Sequence, residues 1–63
     1  MTLRIRRAAA HHREQAAIWR RLAERCIAAG ADPLAREATE LAVLHERRAL
    51  LLESLPREID RAA

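Results

Sequence analysis

Gly30-Ala31-Asp32-Pro33 is the stretch that decides how this chain folds. Gly30 follows an apolar-periodic segment and suits the left-handed position that closes a helix. Asp32 then offers an N-cap oxygen, and Pro33 fits the first helical position, where its missing N–H is not needed. The run reads as a helix stop followed at once by a helix start. So short a connection makes the two neighbours antiparallel. β-Branched residues are few and never alternate with polar ones, so no strand is predicted.

Outward from the turn at 30–32, helix 1 is predicted over about 3–29 and helix 2 over 33–55. At about 100° per residue, helix 1 gathers Ala8, Ala9, His12, Ala16, Trp19, Leu22, Ala23, Cys26 and Ile27 on one half. Arg6, Arg13, Arg20, Arg21, Glu24 and Arg25 take the other side. Pro56 has no N–H for the carbonyl of Leu52, so helix 2 ends before it. Residues 56–63 are left as a short polar tail, with one frayed turn over Arg57–Ala63 docked through Ile59.

The heptads match across the turn. Ala8, His12, Gln15, Trp19, Leu22, Cys26 and Ala29 alternate at spacings of four and three, as do Leu34, Ala38, Leu41, His45, Arg48, Leu52 and Leu55. Folded back, they pair as Ala29/Leu34, Cys26/Ala38, Leu22/Leu41, Trp19/His45, Gln15/Arg48, His12/Leu52 and Ala8/Leu55. The expectation is an all-α antiparallel hairpin of coiled-coil type, forming a single domain over 1–63. One narrow seam does not offset the conformational entropy of ordering such a short chain, and the apolar arcs are wider than one partner helix needs. Two hairpins are therefore expected to form a dimeric four-helix bundle. Its interface would draw on Trp19, Leu22, Cys26, Leu34, Leu41, His45, Leu52 and Leu55. A chain of this length, with two heptad helices around a short Asp-containing turn, resembles the Rop family of plasmid RNA-binding hairpins in architecture. The two share no sequence motif, so the resemblance is one of form.

Composition supports this class. Sixty-three residues leave no room for a second domain or a nucleotide-binding fold. A hydrophobic fraction of 51% excludes a disordered chain, and with 33% charge it is the make-up of amphipathic helices. All twelve basic residues are Arg, as a GC-rich genome would favour. Residues 1–29 carry seven Arg against Glu14 and Glu24, while residues 30–63 carry five Arg against seven acids. The basic half could attract nucleic acid, an acidic protein or a second copy. A single cysteine cannot form an internal disulfide, and no segment has the length of a signal peptide core or a membrane span. The default expectation is a cytoplasmic protein that meets no membrane.

Chemistry is thinly represented. His11, His12, His45 and Cys26 are the only soft-metal ligand candidates. Adjacent histidines diverge by about 100° on a helix, and the layers above hold His12 and His45 about 10 Å apart. In an antiparallel dimer His12 would share a layer with the second copy's Cys26, two ligands where structural zinc takes four. No metal or cofactor is expected. Cys26 has no histidine in its own layer of the same hairpin, Glu37, Glu40, Glu46 and Glu53 lie on the sides of helix 2, and no Gly-rich phosphate loop is present, so no catalytic residue is assigned. Two features point to macromolecules instead. Arg6, Arg13 and Arg20 recur every seven residues as a stripe that could follow phosphates, although no aromatic interleaves them. Val43 and Leu50 lie seven apart, roughly opposite the seam, and Leu44 and Leu51 form a further heptad pair beside it. They suggest a second buried edge. The leading expectation is a non-enzymatic interaction module or regulator that self-associates and docks on a larger protein. The alternative is an RNA- or DNA-binding regulator using the arginine stripe.

Overall fold

The computed structural model describes residues 2–55 of the chain. Helix α1 spans Leu3–Ala28 and α2 spans Asp32–Glu53, and the two pack against each other as a hairpin. Thr2 starts α1: its hydroxyl accepts the amide of Ile5 at 3.2 Å, satisfying one donor of the open first turn. Gly30 ends it at φ 74°, in the left-handed region. The Gly30 amide donates to the carbonyl of Ile27 at 3.0 Å and the Ala31 amide to that of Cys26 at 2.8 Å. These are the two bonds of a Schellman stop.

Asp32 does not cap α2. Ala31 holds the cap position with no side-chain hydrogen bond, and Asp32 belongs to the first helical turn. The Schellman stop explains the shift. Ala31 is already bonded back into α1, yet its carbonyl accepts the amide of Ala35 at 2.9 Å, so one residue serves both helices. Asp32 acts by charge, its carboxylate lying at the positive end of the α2 dipole. At the far end α2 stops at Glu53, two residues short of the expected Leu55. The residue before a proline is disfavoured in helical conformation, and Ser54 folds back so that its hydroxyl donates to the carbonyl of Leu51 at 3.0 Å. The polar tail 56–63, with the turn expected around Ile59, lies outside the described residues.

The seam between the helices differs from the one expected. Its buried members are Ile5, Ala9, Ala16 and Ala23 on α1 and Ala35, Ala38, Ala42 and Ala49 on α2. Alanine thus recurs every seven residues on both helices. Each buried Ala at 9, 16, 23, 35, 42 and 49 directly follows a residue expected in the seam: Ala8, Gln15, Leu22, Leu34, Leu41 and Arg48. Of the other expected positions, His12, Trp19, Cys26, Ala38, His45 and Leu52 keep their place beside it, half-buried except for buried Ala38, while Ala29 and Leu55 at the helix ends are exposed. With only two helices to pack, the closest approach puts methyl groups between the backbones and turns the larger side chains outward. A second correction concerns level. His12 was paired with Leu52 and His45 with Trp19, whereas the two imidazoles meet each other.

The Cα envelope measures 47 × 14 × 11 Å. The hairpin is a ribbon two helices wide and one helix thick, so both of its broad faces reach solvent.

Candidate functional site

One broad face gathers a continuous set of apolar side chains near the turn. Trp19, Leu22 and Cys26 from α1, with Leu34, Glu37, Ala38 and Leu41 from α2, line a common groove near the turn. Leu22 and Leu34 remain 40% and 59% exposed, while Trp19, Cys26 and Leu41 are half-buried. At helical spacing this face continues away from the turn through His12, His45 and Leu52. Leu55, beyond the end of α2, is exposed. Trp19, Leu22, Cys26, Leu34, Leu41, His45 and Leu52 thus share a side of the ribbon, where they cover the alanine seam only in part.

His12 and His45 are the main polar feature of that face. Their Nδ1 atoms lie 2.8 Å apart, with ring centroids 5.1 Å apart and planes inclined by 30°. The centroid separation exceeds the nitrogen gap by about two ring radii, so both nitrogens lie on the line joining the ring centres. The rings therefore meet edge to edge, and one nitrogen must donate while the other accepts. Desolvation holds His12 below the ordinary imidazole range, helped by the positive charge that His45, His11 and Arg48 place around it. His11 stands edge-on to His12 at 5.4 Å and is itself exposed. Among the described residues no three His, Cys, Asp or Glu side chains converge as a metal site would require.

The arginine stripe lies on the opposite border of α1 and is largely engaged. Arg20 donates from Nε to Glu46 at 2.6 Å, and Arg13 pairs with Glu53. This hydrogen bond, before any Coulombic contribution, holds Glu46 below the usual carboxylate range. The carboxylate that Arg20 meets comes from the other helix rather than from Glu24, one turn away on its own. Of the three stripe residues, only Arg6 meets no carboxylate among the described residues.

The offset apolar pairs are split. Val43 and Leu44 line a shallow groove with Thr39, Glu40 and Arg47, whereas Leu50 lies in another with Arg13, Ala16, Ala17, Arg20 and Glu46. Leu50 and Leu51 are 59% and 68% exposed. No helix is long and apolar enough to cross a membrane among the described residues. A scan against protein-family models, and searches of curated proteins and of solved structures, return no match to this chain.

Proposed function

We propose that this chain is a non-enzymatic interaction module in which two hairpins associate through the Trp19–Leu41 face to form a four-helix assembly. The assembly then offers Val43, Leu44, Leu50 and Leu51 to a larger protein. One observation carries the reading: alanine fills the seam while Trp19, Leu22, Leu34 and Leu41 stay partly open on a single face. A buried methyl contributes about 0.8 kcal/mol, against about 1.5–3 kcal/mol for a large aliphatic side chain. The hairpin's own contact therefore sets geometry, and the side chains of Trp19, Leu22, Leu34 and Leu41 keep apolar surface to bury against a second copy. A ribbon face 47 Å long and 14 Å wide is comparable with the roughly 800 Å² per partner that a stable interface buries. Head-to-tail pairing keeps apart the ends rich in Arg4, Arg6, Arg7, Arg47 and Arg48.

Sedimentation equilibrium over a wide concentration range tests the association. The expected result is a dimer mass, with a thermal midpoint that rises with concentration because folding and assembly are linked. Leu41→Ala should weaken the associated form by about 2–5 kcal/mol per chain. A monomer mass at every concentration would sink the reading. The arginine stripe gives less support to nucleic-acid binding, since α2 carboxylates occupy Arg13 and Arg20.

A further inference from the structure

We propose that protons gate the association of two hairpins through the His12–His45 pair, so that the assembly holds near neutral pH and parts in mild acid. This inference rests on self-association through the open face, and names its regulation.

The geometry limits the pair to one proton between the rings. With Nδ1 atoms 2.8 Å apart and collinear with the ring centres, one N–H fits in the gap and two do not. A neutral pair satisfies this with one ring carrying its proton on Nδ1 and the other on Nε2. A first added proton goes to the free Nε2 of the donor ring, and the hydrogen bond persists with a charged donor. A second must go to the acceptor's Nδ1. Two N–H groups then point at each other from two cations, and the rings have to separate. His12 is the natural acceptor, because the groups around it oppose a charge on its ring.

The surroundings make the second proton costly. On its own helix His12 faces His11, and from α2 it faces His45 and Arg48, none of which stabilises a cation there. Glu46, next to His45 in sequence, and Glu53 are committed to Arg20 and Arg13. A second copy seated on this face would remove the imidazoles from water. The closed pair can be buried, since each Nδ1 has a partner; the doubly charged pair cannot be buried without a counter-charge.

Sedimentation equilibrium of the full chain at pH 7.5 and 5.5 tests the gate, in a window above the titration of Glu46. For the wild type, association should weaken about tenfold for each pH unit over which the separated chains hold one more proton than the dimer. His12→Gln/His45→Gln, which cannot titrate, should associate with the same constant at both. A wild-type dimer whose constant does not change overturns the gate and leaves self-association standing. A monomer at every pH and concentration overturns both. Equal weakening of wild type and double variant assigns the effect to other groups and also overturns the gate. Should the double variant fail to fold, ¹⁵N NMR of the wild-type imidazoles decides. One protonated and one bare Nδ1 at neutral pH are expected, whereas two bare Nδ1 atoms would refute the shared proton.

Discussion

Gly30 carries more of the fold than any other single residue, and its role can be isolated. Its φ of 74° lies in the left-handed region, and a Cβ built there would meet nothing within 4 Å. The cost of Gly30→Ala therefore comes from backbone conformation alone, about 1–2 kcal/mol, and Gly30→Asn should recover part of it. Urea titrations of the three proteins at equal concentration check the order. His12 and Glu46 make a second residue-scale prediction. Both are held below their ordinary values of 6.5 and 4.5, so the folded chain binds fewer protons than the unfolded one. The contribution of His12 is complete above 6.5 and is lost as pH falls through its lower folded value; that of Glu46 follows the same course below 4.5. Under dilution that keeps the chain monomeric, urea midpoints should fall in the order pH 7.5, 5.5 and 3.5. A midpoint that rose on acidification would contradict the assigned shifts.

At the scale of the helices, the turn and the antiparallel pair were legible because Gly30 and Pro33 act locally, through backbone torsions that a sequence displays directly. The contact surface was harder to read. Trp19, Leu22 and Leu41 attract attention by size, yet Ala9, Ala16 and Ala23 repeat every seven residues just as strictly, as do Ala35, Ala42 and Ala49. A hydrophobic pattern shows which side is apolar. It does not show whether one neighbour or several will cover that side, and a lone pair of helices closes on its smallest residues. Ala42 is fully buried, so Ala42→Leu should overpack the seam and cost about 1–3 kcal/mol. The same change in an exposed position of α2, at Arg47, should move the midpoint little. The charge pairs between helices were equally invisible, because their spacing in sequence depends on the register of the fold. Replacing Glu46 and Glu53 with Gln releases Arg20 and Arg13. The variant should be retained on heparin to higher salt than the wild type, while the surface pairs it loses are worth at most about 1 kcal/mol each. Unchanged retention would show that the two arginines are not held by those carboxylates in solution.

For the whole molecule, the central fact is a ribbon one helix thick with Trp19 and a row of leucines on one side and Leu50 on the other. Of the eight residues expected at an interface from heptad position, the seven that lie on the helices share one side of the ribbon, with Leu22 and Leu41 in one groove, whereas His45 meets His12 rather than standing level with Trp19 alone. The junction between the helices has a further consequence. Ala31 serves both helices and no spacer separates them, so a turn of Gly30 into right-handed torsions would try to fuse the chain into a single long rod. Two such rods could exchange halves, each completing the other, as in a domain swap. Pro33 stands against this outcome. In a fused helix its ring would strike the carbonyl of Ala29 and leave that carbonyl without its donor, a penalty of about 3 kcal/mol or more. Pro33→Ala should therefore let an elongated, exchanged form appear in small-angle scattering of concentrated protein, where the native chain keeps its bend. The proline placed where a helix tolerates it best thus also guards the topology, making the hairpin a commitment that the chain does not undo.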